Sequence, residues 1–124
     1  MQQYRILIAD DEVDVQMLLC LFLERQGYGV VRARDGEEAI IAATEHCPDL
    51  ILMDIQMPRK TGIEAVRELR ADPRFADTPI LAITAHARSF LPADILRAGF
   101  NRIIFKPFEF SEIESWIDQM LQRV

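Results

Sequence analysis

Several scarcities narrow what this chain can be. Two cysteines in 124 residues are too few for a disulfide scaffold. Cys20 and Cys47 also lack CxxC or Cys/His ligand spacing, so they read as reduced thiols and not as a zinc site. Glycine is equally sparse, with five residues. None follows the first apolar run, where Asp10-Asp11-Glu12 stands instead. A phosphate-cradling loop needs small residues with free N–H groups at that point, and three acids would repel the phosphate, which sets aside a flavodoxin-like nucleotide binder. Basic residues are outnumbered fourteen to twenty, giving a formal net charge of −6 that opposes unassisted binding to nucleic acid or an anionic membrane. The N-terminus MQQYRILIADDE has no basic segment leading into a long apolar stretch, and no apolar run approaches the roughly 20 residues of a membrane span. A cytoplasmic protein with protein partners, and none among nucleic acids or membranes, is the expectation.

What is present is a repeating alternation. Half the residues are hydrophobic, enough for one domain with a real core over residues 1–124 and no second, output domain. Apolar runs of four to six residues alternate with longer stretches of helical period, the pattern of five successive β-α units. The expected fold is therefore α/β: a five-stranded parallel sheet with helices on both faces, doubly wound, with strands near residues 4–9, 29–33, 49–53, 79–83 and 102–105.

The helices are punctuated by identifiable residues. Asp35, Thr61 and Ser111 each stand three residues before a glutamate, as in a capping box, and mark the second, third and fifth helices. In the fifth, Ile113, Trp116, Ile117, Met120, Leu121 and Val124 form a stripe that should pack on the sheet. Pro92 and Gly99 bound a short fourth helix, and residues 85–91 before it form a loop. The first helix carries seven consecutive apolar residues, Met17 to Leu23. A helix cannot turn all seven toward one sheet, so some face outward, either as scattered exposed leucines or as a docking face for a partner.

Four polar positions stand where apolar runs stop: Asp10-Asp11, Asp54, Thr84 and Lys106. In a parallel sheet the carboxyl ends of the strands share one edge, and ligands bind there. Gathered carboxylates repel one another, and a hard divalent cation with oxygen ligands relieves this; Mg²⁺, which keeps several waters, suits two or three carboxylates and a carbonyl. A carboxylate beside such an ion can attack phosphorus, with Asp54 as the nucleophile, Lys106 and the metal neutralising phosphoryl oxygens, and the Thr84 hydroxyl bonding one of them. Each residue also has a plainer role open to it. Asp11 can be the N-cap of the first helix, Asp54 a turn residue, Lys106 a structural partner of Asp54, and Thr84 a strand-end residue satisfying backbone.

Together ADDE at 9–12, LMDIQMP at 52–58 with Gly62, ITA at 83–85 and FKPF at 105–108 resemble the motifs of response-regulator receiver domains, in order and over essentially the whole chain. The resemblance implies a phosphoacceptor signalling switch of a two-component system or phosphorelay. A sensor histidine kinase or histidine phosphotransfer protein would donate the phosphoryl group to Asp54. Asp11, Asp54 and the carbonyl of Gln56 would bind Mg²⁺ directly, with Mn²⁺ a substitute, and Asp10 would help through water. Lys106 and Thr84 would contact the phosphoryl group, and Lys106-Pro107 would be a cis peptide. Phosphorylation would change the surface of the fourth helix, fifth strand and fifth helix, where Phe90, Leu91, Phe108 and Phe110 are candidate anchors, Phe108 and Phe110 reading equally as hinge packing, and so control a downstream target protein. The molecule would be a monomer or weak homodimer, and not an enzyme beyond self-assisted phosphotransfer and autodephosphorylation.

Two departures matter. Many receivers carry Tyr or Phe three residues before the lysine, and this chain has Ile103, with Phe105 on the same strand face as a substitute or as core packing. Gln56 and His86 occupy variable positions that tune water access in the family; for His86 a solvated loop histidine is the preferred reading over one that holds a water or the phosphoryl group, because nothing beside it supplies an orienting carboxylate. Ile103 keeps open an alternative, a receiver-type binding module that works without phosphorylation. A magnesium phosphohydrolase is disfavoured because Gln56 stands where a second acid-base aspartate belongs.

Overall fold

The computed structural model describes residues 3–85 and 91–121. Five strands, β1 Arg5–Ala9, β2 Gly29–Ala33, β3 Leu50–Asp54, β4 Ile80–Thr84 and β5 Arg102–Phe105, form one parallel sheet in the order β2-β1-β3-β4-β5. Between and after them run α1 Val13–Arg25, α2 Gly36–His46, α3 Gly62–Ala71, α4 Pro92–Ala98 and α5 Phe110–Met120, with a 3-10 turn at Pro73–Phe75. All five β-α units expected from the sequence are present, and the strands start and stop within a residue of their expected bounds.

Strand alternation explains the two-sided core. Leu7, Ala9, Ile51, Met53, Ile80 and Ala82 point to the face covered by α2, α3 and α4. Ile6, Ile8, Leu50, Leu52, Leu81, Ile83 and Ile104 point to the face covered by α1 and α5. β3 and β4 are buried along their whole length. The chain winds outward from β1 to β2, then returns to place β3 on the other side of β1. That reversal opens a crevice at the carboxyl ends of β1 and β3.

Caps follow the sequence in part. Thr61 and Glu64 make a complete capping box on α3. Asp35 caps α2 by accepting from the Glu38 N–H at 2.8 Å, but the Glu38 carboxylate accepts from the Arg34 N–H, so that box is half formed. Ser111 is not a cap. α5 begins two residues earlier than that cap requires, at Phe110, with Glu109 at the N-cap and no side-chain cap bond. The Phe110 ring stacks on Phe22 of α1 at 4.8 Å, a tertiary contact the capping pattern does not register. Nor is Asp11 the cap of α1, since that position belongs to Glu12.

α1 divides its apolar run as geometry requires. Leu19 and Leu23 are fully buried, whereas Met17, Leu18 and Leu21 are about half exposed. In α5, Ile113 and Ile117 are buried and Trp116, Met120 and Leu121 pack against the same core cluster. Val124 lies outside the described residues.

Candidate functional site

Each expected residue stands at the carboxyl edge of the sheet. Asp10 directly follows β1, Asp54 ends β3, Thr84 ends β4, and Lys106 directly follows β5. Pairing of Ala9 with Met53, of Asp54 with Ile83 and of Thr84 with Phe105 brings these ends level. The edge is tied by main-chain bonds: the Asp10 N–H donates to the Ala33 carbonyl at 3.1 Å, and the Lys106 N–H to the Thr84 carbonyl at 2.9 Å. Gln16, buried in the first turns of α1, donates from its amide to the carbonyls of Asp10 and Ala33, at 3.2 and 2.7 Å. The Lys106-Pro107 peptide is cis.

Both buried aspartates are held by Asx turns. Asp10 Oδ1 accepts from the Glu12 N–H at 2.8 Å, and Asp54 Oδ1 from the Gln56 N–H at 3.1 Å. Their other oxygens face Lys106, whose Nζ lies 3.0 Å from Asp10 Oδ2 and 3.2 Å from Asp54 Oδ2. Asp10 Oδ2 is fully buried, and this ion pair gives it no aligned hydrogen bond. Glu12 Oε1 is nearer still to Nζ, at 2.7 Å. Three carboxylates thus share one ammonium.

The electrostatic consequences follow from burial. Asp54, 4% exposed, has its carboxyl pushed up to about 6, first by loss of hydration and then by the charge of Asp10, against the pull of Lys106. Burial raises Asp10 too. Burial opposes the charge on Lys106, but Glu12, Asp10 and Asp54 together outweigh it and hold the ammonium above its ordinary value.

A cleft of about 660 Å³ opens over Asp54, lined by Asp11, Glu12, Gln56, Met57, Pro58, Thr61 and Ala85. Its wall sits close to the strand end: a Cβ on Gly62, at the start of α3, would collide with the Asp54 carbonyl oxygen and crowd Ile55 Cα. Among the described residues, the carboxylates close enough to share a metal ion are those of Asp10, Glu12 and Asp54, all within 4.8 Å of one another. Asp11 is exposed and lines the cleft beside them. Oxygen donors of this kind around an orphaned buried oxygen suit a hard divalent cation. Glu12 is the site residue that sequence reasoning passed over. Its signal was its place as third acid in Asp10-Asp11-Glu12, read only as repulsion toward phosphate. Ile103 is partly buried against the core, and Phe105, 44% exposed, is not core packing. Phe108 and Phe110 contact each other edge to face at 6.0 Å beside α1. His86 and Phe90 lie outside the described residues.

A doubly wound parallel sheet with an acid-lysine cluster at its switch point matches known proteins at every level. The model of the response regulator receiver domain matches residues 6–118. The chain is 39% identical to the transcriptional regulatory protein PdtaR of Mycobacterium tuberculosis over 96% of its own length and 57% of the relative. With the Bacillus subtilis alkaline phosphatase synthesis regulator PhoP it shares 38% identity, covering 96% of this chain and 49% of that one. The chain therefore spans about half the length of the curated relatives it matches. Among solved structures, a putative response regulator from Chloroflexus aurantiacus superposes with a TM-score of 0.89 at 32% identity, over 98% of this chain and all of that one. The receiver domain of a Pseudomonas aeruginosa sensor histidine kinase, solved with magnesium in its active-site cleft, gives 0.90 at 31%, over 98% and 99%.

The chain belongs to the response regulator receiver domain family. Receiver domains are the signal-receiving modules of two-component systems, where they interact with histidine kinases and downstream targets, and Mg²⁺ and phosphorylation are general features of the family. None of the described helices is long and apolar enough to cross a membrane.

Proposed function

We propose that this chain is a phosphoacceptor switch in which Asp54 takes a phosphoryl group from a sensor histidine kinase or a histidine phosphotransfer protein. The observation that carries this reading is the placement of Asp54: a carboxylate at a strand end, open to a cleft, with a lysine ammonium 3.2 Å away. In the transfer, an Asp54 oxygen attacks phosphorus, the P–N bond to the donor imidazole breaks, and its electron pair returns to the donor nitrogen. Lys106 neutralises charge on the equatorial oxygens and Thr84 offers its hydroxyl to one of them. Mg²⁺, or Mn²⁺ in its place, supplies the further positive charge. Asp11, Asp54 and the Gln56 carbonyl would hold the ion, Asp10 would help through water, and Glu12 is near enough to join the set. Apart from this self-assisted transfer and its own dephosphorylation, no turnover reaction is assigned to the chain.

The donor would sit beside the cleft. Leu18 and Val15 of α1, with Pro107, Phe108 and Phe110, line an apolar groove of about 500 Å³ that reaches Lys106, and Met17 and Leu21 extend the exposed apolar face. A helical phosphodonor with an apolar stripe suits that surface. Exposed Leu91, Leu96 and Phe105 belong to the surface of α4, β5 and α5 through which a downstream target protein would be controlled. A monomer or weak homodimer in the cytoplasm is consistent with this role.

The test is intact-mass analysis after incubation with acetyl phosphate, with and without Mg²⁺, on wild type and Asp54→Asn. A single metal-dependent adduct that vanishes in the variant supports the reading. No adduct, and none from a panel of kinases and phosphotransfer proteins, sinks it. Ile103, packed on the core where many receivers carry an aromatic ring, favours a second reading, a binding module that acts without phosphorylation. Partner binding unchanged by a stable phosphoryl adduct would select it.

A further inference from the structure

We infer that Glu12 is a positioning residue that holds Lys106 in a resting state, its carboxylate occupying the ammonium until a phosphoryl oxygen displaces it; this rests on the phosphoacceptor reading above. A lysine ammonium has three protons and no other means of binding an anion. Here Glu12 Oε1 and Asp54 Oδ2 accept hydrogen bonds from it at 2.7 and 3.2 Å, and Asp10 Oδ2 adds an ion pair at 3.0 Å. An oxygen arriving on Asp54 competes with these carboxylates for the ammonium, and Glu12 holds its shortest contact.

The three are not equally able to leave. Asp10 and Asp54 are buried on strand ends and held by their Asx turns. The Glu12 side chain is 56% exposed, reaches Lys106 across 94 residues of sequence, and can swing into water without leaving a buried charge behind. It also lines the cleft, where its charge repels an entering anion. Its removal leaves the start of α1 and the Asp10 turn intact. Glu12 is the N-cap of α1 but its side chain makes no cap bond, and its main-chain N–H, which holds Asp10 Oδ1, persists in any variant. Lys106 keeps both buried partners, so it stays aimed at Asp54 with one proton freed.

The probe is beryllofluoride, which binds an aspartate as a phosphoryl group does, titrated by fluorine NMR at saturating Mg²⁺ into wild type, Glu12→Ala and Glu12→Gln. Mg²⁺ affinity is measured separately without beryllofluoride. Glu12→Ala is expected to tighten beryllofluoride binding roughly three- to tenfold, the worth of one exposed ion pair and a screened repulsion. Glu12→Gln should gain less, because its amide oxygen still accepts from Lys106. A merely structural role for Glu12 would move neither. Binding in Glu12→Ala no tighter than in wild type overturns the inference. So does a loss of Mg²⁺ affinity of roughly tenfold or more, which would make Glu12 a support for the metal instead. If wild type takes beryllofluoride and the alanine variant does no better, the latch alone falls; if wild type takes neither beryllofluoride nor a phosphoryl group, the phosphoacceptor reading falls and the latch with it.

Discussion

Replacing Asp54 by asparagine should stabilise the metal-free protein at neutral pH, although the residue is the centre of the site. The folded state holds the Asp54 carboxyl at about 6 against an ordinary 3.8. An acid whose folded value lies above its unfolded value binds more protons when folded between those two pH values, so stability falls as pH rises through the interval and is flat above it. The charged carboxylate then penalises the fold at neutral pH by about 3 kcal/mol at most. The asparagine variant escapes that penalty but gives up the bond from Lys106, which retains Asp10 and Glu12. A net gain of about 1–3 kcal/mol is expected. Urea unfolding with a chelator present, at a pH near 7.5 and again near 4.5, measures it. The gain should be present at the higher pH, shrink at the lower, and shrink again when Mg²⁺ is added, because the ion stabilises the wild type by binding its folded form. An asparagine variant no more stable than wild type at neutral pH without metal would refute the account. An advantage indifferent to both pH and Mg²⁺ would do the same.

Other substitutions probe the frame of the site. Lys106→Met leaves Asp10, Glu12 and Asp54 facing one another with no cation; it should lower stability by about 3 kcal/mol at neutral pH in chelator, with part recovered by acid or Mg²⁺ in the same unfolding assay. Gly62→Ala places a methyl against the Asp54 carbonyl and Ile55 Cα, so it should cost about 2–3 kcal/mol and slow phosphorylation by acetyl phosphate. The assay pair separates it from a surface change, which would move neither. Arg70 donates to the carbonyls of Phe75, Thr78 and Gly99 and to Asn101 Oδ1, at 2.6 to 3.0 Å, joining the end of α3 to the turn before β5. Arg70→Met should cost about 2–3 kcal/mol by urea unfolding while leaving the mass of the phosphoryl adduct unchanged.

Much of the architecture was legible in one dimension. Apolar runs located all five strands, most clearly the central β1, β3 and β4, because a doubly covered parallel strand buries both faces and reads as a continuous run. Pro92 and Gly99 delimited α4 to the residue, since proline suits a first helical turn and the chain leaves the helix at Gly99 with φ of 133°. The same runs, ending at Asp10, Asp54, Thr84 and Lys106, named the sheet edge that gathers those residues. The Ser111 cap failed because the competing force was not local: Phe110 enters the helix early to stack on Phe22, which is distant in sequence.

By itself, then, the sequence determined which elements form, which edge carries the chemistry and which residues stand at it, because period, run length and capping are properties of neighbours along the chain. Only the tertiary structure decided how those residues divide their roles. Asp10 and Asp11 are adjacent and chemically identical, and the fold buries one against Lys106 while leaving the other at the cleft wall. Period-two alternation cannot order them once the strand has ended. Glu12 reaches Lys106 only because the sheet places β1 and β5 ends around a common crevice. The raised carboxyl of Asp54 likewise arises from burial and from Asp10 across the β1–β3 junction. Desolvation and charge proximity depend on distances through space, which no pattern along the chain encodes.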